Sequence, residues 1–162
     1  MNNKKRQDIK EKTAGTEKAI TLMDIDEHNW REDLAVEEEQ KAFVSDQYRL
    51  LARAYAHRNR RAQAKMIYAD DTPVGMLLYY DLEECQAYDF SQLFIDRRFQ
   101  GHGYGRKAVQ MVIEQMRRER KYNQVYLCCI EGNTSAYHLY TQLGFRPNGT
   151  RDGDEFVMCL NL

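Results

Sequence analysis

The stretch Q-L-F-I-D-R-R-F-Q-G-H-G-Y-G-R, residues 92–106, predicts a turn from a buried strand into a helix. Its apolar residues 93–95 are typical of the end of a strand, and the segment 106–120 repeats apolar residues at the spacing of one helical face. Gly101, Gly103 and Gly105 therefore lie at the turn. Glycine permits positive φ and close backbone approach, so several N–H groups can point at one anion beside the positive end of the helix dipole. The stretch predicts a phosphate cradle.

Four basic residues in or beside this stretch add charge of the sign that a phosphate requires: Arg97, Arg98, Arg106 and Lys107. The glycine spacing differs from the G-x-x-x-x-G-K-[ST] of nucleotide hydrolases. The acidic ribose ligand that a dinucleotide fold places about 20 residues further on is also missing. A glycine-rich turn that binds nothing is the alternative.

Two segments carry a family resemblance. D-R-R-F-Q-G-H-G-Y-G-R-K-A, residues 96–108, resembles the acyl-CoA signature of the GNAT superfamily of N-acetyltransferases. E-G-N-T-S-A-Y-H-L-Y-T-Q-L-G-F, residues 131–145, resembles that family's N-x-x-A-x-x-L-Y-x-x-L-G-F. The resemblance implies an α/β (α+β) GNAT-like fold, with a mixed, mostly antiparallel central sheet flanked by helices in the order β-α-α-β-β-β-α-β-α-β.

The resemblance also implies acetyl-CoA as co-substrate. Its pyrophosphate would rest on the amides of residues 101–106, and its pantetheine arm would pair with the backbone of residues 93–95 like an extra strand. The cofactor-binding residues implied in this way are Leu93, Phe94, Ile95, Gln100, Gly101, His102, Gly103, Tyr104, Gly105, Arg106, Asn133, Ala136 and Tyr140.

Tyr140 occupies the position from which the family's tyrosine protonates the CoA sulfur. With an ordinary pKa of about 10, a tyrosine is a competent acid that stays protonated between turnovers. The alternative is a core aromatic on the helical face of Ala136, Leu139 and Leu143. Asn133 is either the N-cap of that helix or a hydrogen-bond partner of the CoA arm.

The general base departs from the family pattern. Related polyamine enzymes carry a carboxylate on the central strand shortly before the glycine loop, where this sequence has Ser91 and Gln92. Asp89, on the same strand face as Ser91, is one candidate, and Glu155 at the start of the last strand is another. A water chain without a single base is a third possibility, and Asp89 is also interpretable as a solvated residue at a strand end.

The acceptor is predicted from a looser likeness. L-A-V-E-E-E-Q-K-A-F-V-S, residues 34–45, followed by L-L-A-R-A-Y, resembles the spermine/spermidine acetyltransferase branch. This implies a primary amine of a small cationic substrate, with spermidine or spermine as the first expectation. Glu38, Glu39 and Asp89 would then hold ammonium groups, although a solvated acidic face is the alternative for each glutamate.

Other functions remain open at this stage. An aminoglycoside or a peptide amine would use the same cofactor residues, and the missing family carboxylate favours a non-catalytic CoA-binding sensor, against which Tyr140 argues. A nucleic-acid binder leaves residues 133–145 unexplained and predicts a steep salt dependence. Its basic residues would be Arg97, Arg98, Arg117, Arg118, Arg120 and Lys121.

Hydrophobic spacing and turn residues predict the remaining elements. The early helices are expected to begin near Trp30, capped from residues 26–29, and after Asp46. Asn133 and Gly144 bound the last helix, and a turn at residues 152–154 separates the last two strands. The strands are predicted at 20–23, 64–69, 74–80, 88–95, 125–130, from 145 onward and at 156–162.

Composition predicts one domain, residues 19–162, after a disordered basic tail at residues 1–18, in a chain of 162 residues with a net charge of −1. No apolar run is long enough to span a membrane and no secretory signal is found, so a cytoplasmic protein is expected. Neither the cysteines nor the histidines show metal-ligand spacing, which predicts no metal site. The cysteines are interpreted as small buried hydrophobes: Cys85, Cys128, Cys129 and Cys159. No nucleic-acid partner is expected, and the resemblance implies a homodimer.

Overall fold

The structure is a computed structural model that describes residues 18–162. The tail predicted at residues 1–18 lies outside the described residues except for Lys18. The strands are β1 Ile20–Asp24, β2 Gln63–Ala69, β3 Thr72–Leu82, β4 Ala87–Ile95, β5 Gln124–Ile130, β6 Arg146–Asp152 and β7 Glu155–Asn161. The α-helices are α1 Gln47–Ala56, α2 Tyr104–Glu119 and α3 Thr134–Gln142. Short 3-10 helices occupy Glu38–Ala42, Arg58–Arg60, Glu83–Cys85 and Arg97–Phe99.

The strands form one seven-stranded sheet in the order β1-β2-β3-β4-β5-β7-β6. Every neighbouring pair is antiparallel except β4 and β5, which are parallel. β4 pairs with β3 over its whole length, but it pairs with β5 only at Tyr88↔Val125 and Asp89↔Tyr126. Beyond Asp89 the two strands diverge, and this divergence opens a cleft in the middle of the sheet. The predicted GNAT-like α+β fold is confirmed.

The two faces of the sheet carry separate cores. The apolar face of α2 is buried against one side, as its sequence spacing predicts, through Ala108, Val109, Val112, Ile113 and Met116. α1 packs mainly on β2 and β3 on the other side, where Leu50, Met66 and Met76 are fully buried, and its Arg53 reaches Ser91 of β4. The side of β5 and β7 that faces away from α2 is therefore not covered by a helix in the described residues.

The prediction of a first early helix that begins near Trp30 is wrong. Residues 27–31 form a turn and Glu38–Ala42 a 3-10 helix, whereas the helix after Asp46 forms as predicted, with Asp46 accepting a hydrogen bond from the Arg49 N–H at 2.8 Å. The backbone of Ala35 explains the difference. Its N–H donates to the Asp96 carboxylate and its C=O accepts from the Arg97 N–H, both at 2.8 Å, so neither is free for helical hydrogen bonds.

Two further details differ from the sequence-based expectations. The order implied by the family resemblance has one strand after the last helix, whereas the structure has the two that the residue spacing predicts, β6 and β7, joined by the turn predicted at residues 152–154. Of the four cysteines only Cys129 is buried, while Cys85 lies in an exposed turn and Cys128 is exposed on the uncovered face of β5. No helix of residues 18–162 is long and apolar enough to cross a bilayer.

Candidate active site

The cleft exposes one edge of β4. Residues 90–95 have no strand partner on the β5 side among the described residues, so their N–H and C=O groups on that edge can pair with an extended ligand. A bulge sharpens this arrangement, since Leu78 pairs with Gln92 and Tyr79 with Phe90, which leaves Ser91 without an opposite residue. The bulge turns both Ser91 and Gln92 toward α1, where they meet Arg53 and Ser45.

The glycine loop lies at the carboxyl end of β4. Gly101 and Gly103 have φ of 79° and 78°, and a Cβ built on either would meet nothing within 4 Å. Gly103 is the N-cap of α2 and offers no side-chain cap, so the first-turn N–H groups of the helix lack intrahelical partners. A concave backbone whose space a Cβ would fill fits a pyrophosphate. This part of the structure fits CoA.

Gly105 has a different role from the other two glycines. It lies inside α2 without positive φ, and a Cβ there would stand 3.4 Å from Ile95 Cγ1 and 3.7 Å from Leu93 Cδ2. Of the two properties predicted for the glycines, Gly101 and Gly103 use positive φ and Gly105 uses close backbone approach. This glycine instead lets the first turn of the helix approach β4.

Arg98 ties the segment before the glycine loop to the segment around Asp33. Its Nε donates to Asp96 Oδ1 at 2.8 Å, and its Nη2 donates to the Asp33 carbonyl at 2.7 Å. Asp96 is 1% exposed. Burial alone would raise the pKa of Asp96, but hydrogen bonds from Arg98 and from the Ala35 N–H hold it below its ordinary value. The Arg98 guanidinium, which was expected to face a phosphate, is thus paired with the buried carboxylate of Asp96.

Other predicted cofactor residues brace the loop with their side chains. Gln100 Nε2 donates to the Ile95 carbonyl and to Gln40 Oε1, both at 2.8 Å. His102 stacks on Tyr104 with ring centroids 5.4 Å apart, and its Nδ1 lies 2.9 Å from the Gln100 carbonyl. Arg106 hydrogen-bonds to Gln142 of α3. The side chains of Gln100, His102 and Arg106 thus make contacts within the protein, and the loop offers its backbone amides to an anion.

Tyr140 combines the two interpretations that the sequence left open. It is buried on α3, edge-to-face with Phe90 of β4 at 6.3 Å and with Phe145 at 5.7 Å between ring centroids. Burial, and then the neighbouring Cys129, raise the pKa of its phenol, so the hydroxyl stays protonated. No hydrogen bond of this hydroxyl is found within residues 18–162. Tyr140 is a core aromatic that also carries an uncommitted proton beside the cleft.

Asn133 is the N-cap of α3, since its Oδ1 accepts from the Ala136 N–H at 3.2 Å. The cap uses only the carbonyl oxygen of the side chain. Its amide nitrogen keeps two donors, so capping and binding of a ligand acceptor are compatible.

Asp89 lies at the apex of the cleft. It is the last residue of β4 that pairs with β5, and it stands directly opposite Tyr80 on β3. Burial raises the pKa of Asp89 to about 6, although a hydrogen bond from Tyr80 and the charges of Arg53 and Arg60 oppose the rise. The interpretation of Asp89 as a solvated strand-end residue is therefore wrong. A carboxylate with such a pKa is poised to accept a proton near neutral pH.

Glu155 lies on the same open face of the sheet as Asp89. Burial raises the pKa of Cys128 to about 11, and the charges of Glu155, Asp89 and Asp152 add to the rise. The structure thus brings the two candidate bases around one thiol, although Glu155 is 66 residues further along the chain than Asp89. Cys128 remains a neutral thiol among three carboxylates.

Glu38 and Glu39 lie at the protein surface, on the 3-10 helix that precedes α1. Both are exposed on the 3-10 helix, where Lys41 Nζ donates to Glu38 Oε2 at 2.6 Å. This segment spans the cleft mouth, because Gln40 holds Gln100 and the Phe43 ring comes within 4.0 Å of a Cβ built on Gly132.

Three residues around Asp89 were missed from the sequence. Tyr80 and Arg53 contribute from β3 and α1, and Ser91 was noted only as the residue that replaces the family carboxylate. One signal was available for Arg53: residues 47–61 carry five arginines and no acidic residue. Among residues 18–162 no group of His, Cys, Asp or Glu side chains is arranged to hold a metal ion.

The chain is similar to several known acetyltransferases. The spermine/spermidine N(1)-acetyltransferase of Bacillus subtilis (strain 168) is 38% identical over 72 residues, which cover 44% of this chain and 47% of that protein. The matched segment thus spans about half the length of that curated relative. The spermidine N-acetyltransferase from Vibrio cholerae, solved with CoA and spermine, superposes with a TM-score of 0.69 at 17% identity, covering 88% of this chain and 95% of that one.

An aminoglycoside acetyltransferase solved with coenzyme A superposes equally well, with a TM-score of 0.70 at 14% identity, covering 88% of this chain and 95% of that one. At such identities the two structures establish the fold alone. Residues 22–145 match the acetyltransferase (GNAT) family. Because this match covers well over half of the chain, the protein belongs to the acetyltransferase (GNAT) family, whose members use acetyl-CoA.

Proposed function

We propose that this protein transfers the acetyl group of acetyl-CoA to a primary amine of a small cationic acceptor of the polyamine class. The observation that carries the proposal is the meeting of three parts at one cleft: an open strand edge, a glycine cradle, and a partly buried carboxylate at the apex. The partial relative in Bacillus subtilis supports a polyamine as the acceptor.

Acetyl-CoA supplies an activated thioester when bound. In the proposal, the amides of residues 101–106 hold its phosphates and the free edge of residues 93–95 holds its pantetheine arm. Asp89 takes a proton from the acceptor ammonium, because only a neutral amine is nucleophilic. Tyr140 donates its phenol proton to the departing sulfur, and its raised pKa keeps that proton in place until then.

The charges around the cleft suggest where a cationic acceptor lies. Three of the five arginines of residues 47–61 are paired with carboxylates, whereas Arg53 and Arg58 form no ion pair within residues 18–162 and repel a polycation on the α1 side. Asp152 and Glu155 lie on the opposite side, around Cys128, with no helix above them in the described residues. We therefore infer that the acceptor runs from Asp89 across β5 toward Glu155, with Glu38 and Glu39 available at the mouth of the cleft.

A thiol-release assay with the purified 162-residue chain and acetyl-CoA tests the proposal. The acceptor panel comprises spermidine, spermine, diamines, aminoglycosides and short peptides. Turnover with the polyamines and loss of turnover in Tyr140→Phe are expected. Turnover with an aminoglycoside or a peptide alone overturns the polyamine assignment and keeps the reaction. Acetyl-CoA binding without turnover on any amine overturns the enzyme and leaves a CoA-binding sensor.

A cytoplasmic homodimer is also part of this proposal, on the basis of the family resemblance. Light scattering after size-exclusion chromatography measures the mass directly. A mass of twice the 19.2 kDa of the chain is expected. A mass of one chain at micromolar concentration contradicts the dimer.

A further inference from the structure

We propose that Tyr80 is the positioning residue for Asp89, and that His57 on one side and the Arg53–Ser91 pair on the other hold Tyr80 in place. The inference concerns the orientation and protonation of Asp89 in the protein alone. Its consequence for turnover rests on the proposed function, in which Asp89 accepts the proton of the amine.

Strand pairing places Tyr80 against Asp89. The two residues are partners in the β3–β4 register, so their side chains share one face of the sheet as direct cross-strand neighbours. Tyr80 is 7% exposed, and its phenol opposes the rise in the pKa of Asp89 as a hydrogen-bond donor. The His57 ring stacks on the Tyr80 ring, with centroids 4.3 Å apart and 11° between the planes. The phenol is therefore fixed both in plane and in direction.

A second contact fixes the hydroxyl oxygen. Arg53 Nη1 donates to Ser91 Oγ at 3.3 Å, and the Ser91 hydroxyl acts to lower the pKa of Tyr80, which burial raises. In the proposal the donors run in one direction, from the guanidinium through Ser91 and Tyr80 to Asp89. The bulge at Ser91 makes this possible, because it turns an extra residue of β4 toward the α1 face.

The chain of hydrogen bonds opposes the effect of burial on Asp89. Desolvation favours the protonated carboxylic acid, whereas a donated hydrogen bond favours the ionised carboxylate. Five other groups also face this site or influence its charge: Arg53 from α1, Arg60 from the following 3-10 helix, His57 between them, Cys128 from β5 and Glu155 from β7. Burial and the two arginines lower the pKa of His57, so its ring is neutral at pH 7 and stacks without adding charge.

The direct test is carbon-13 NMR of aspartate carboxyl groups as a function of pH, without any substrate. Loss of one signal in Asp89→Asn assigns Asp89, whose midpoint is expected near pH 6. Tyr80→Phe should raise this midpoint by roughly one pH unit, since a hydrogen bond to a charged group stabilises it by about 1.5 kcal/mol and one unit equals about 1.4 kcal/mol. Tyr79→Phe is the matched control, because Tyr79 immediately precedes Tyr80 in β3 and faces the α2 core on the other side of the sheet. It should leave the midpoint unchanged.

Two further variants keep the inference open to refutation if Tyr80→Phe does not fold. Arg53→Gln, at an exposed position, and Ser91→Ala should both move the Asp89 midpoint upward by smaller amounts. An unchanged or lowered midpoint in Tyr80→Phe, or in both of these variants, overturns the positioning role.

Kinetics separate this inference from the proposed function. In Tyr80→Phe the acid limb of kcat/KM should move to higher pH by the same interval as the NMR midpoint. A purely structural role would lower the rate at every pH without moving the limb. If the NMR midpoint moves and no amine is acetylated by any variant or by the parent, the positioning role stands and the proposed function fails.

Discussion

The glycine loop and the surroundings of Asp89 lie near opposite ends of β4, and they are built from different parts of the chain. The loop offers backbone amides from one continuous segment, residues 101–106. The Asp89 site gathers side chains from β3, α1, β5 and β7. A backbone site depends on φ angles and on missing Cβ atoms, so a short sequence pattern can specify it. A side-chain site depends on which strands become neighbours, and this is decided by the whole fold.

The largest effect is expected at the loop. Gly103→Val should lower acetyl-CoA affinity by about 1000-fold, because the new side chain fills the space in which a phosphate would meet two or more N–H donors, each worth about 1.5–3 kcal/mol to a charged acceptor. Isothermal titration calorimetry with acetyl-CoA measures this directly.

Gly149→Val is the control for backbone strain. Gly149 has φ of 88° and open space around its Cβ position, as Gly103 has, but it lies in β6. The control variant should lose a similar amount of stability and keep its affinity. Equal affinity of a folded Gly103→Val protein would show that the loop does not hold the cofactor.

The next largest effect is expected at Tyr140, whose side chain lies beside the cleft. Tyr140→Phe should keep acetyl-CoA affinity and lower kcat by roughly 100-fold, the usual scale for loss of a positioned general acid. Tyr137→Phe is the control, since Tyr137 lies one turn earlier on α3 at the surface. If the two variants turn over equally, Tyr140 serves only as a core aromatic between Phe90 and Phe145.

The same contrast explains which features the sequence predicted. The loop, α2 with its buried face, and the Asn133 cap follow from local spacing and capping rules, and the structure has all three. The helix expected near Trp30 failed because the backbone of Ala35 is bonded to residues 96 and 97, more than 60 positions away. Tyr80 and Arg53 reach Asp89 only through strand pairing and the packing of α1. The sequence names Glu155 as a candidate base, but its position beside Asp89 depends on the order of the strands in the sheet.

Asp89 should show opposite effects on activity and stability. Asp89→Asn is expected to lower kcat roughly tenfold to 100-fold and to remove the acid limb with its midpoint near pH 6, below which the parent loses its base. A smaller loss than at Tyr140 is expected because water and Glu155 remain as proton acceptors.

The stability effect has the opposite sign. The folded-state pKa of Asp89 is raised from 3.8 to about 6, so its contribution to stability is fully present below pH 3.8 and is lost as the pH rises through 6. The Asp89→Asn variant avoids that loss, because its amide side chain is neutral at every pH. Urea unfolding at pH 8 should therefore show a gain of about 1–3 kcal/mol in Asp89→Asn, shrinking toward zero at pH 4. A loss of stability in Asp89→Asn at pH 8 would show that folding does not raise the pKa of Asp89.

The smallest effect is expected at the remote carboxylates, and it decides the path of the acceptor. Glu155→Gln should raise KM for spermidine about threefold with little change in kcat, because a partly exposed carboxylate contributes about 0.5–1 kcal/mol to holding an ammonium group. Glu39→Gln at the cleft mouth should change KM less, because Glu39 is exposed and its charge is screened by salt. Steady-state kinetics at low and at high salt compare the two. A larger KM effect at Glu39 than at Glu155 would place the acceptor at the 3-10 helix instead of over β5 and β7. A lowered kcat with a shifted pH profile in Glu155→Gln would make Glu155, and not Asp89, the general base.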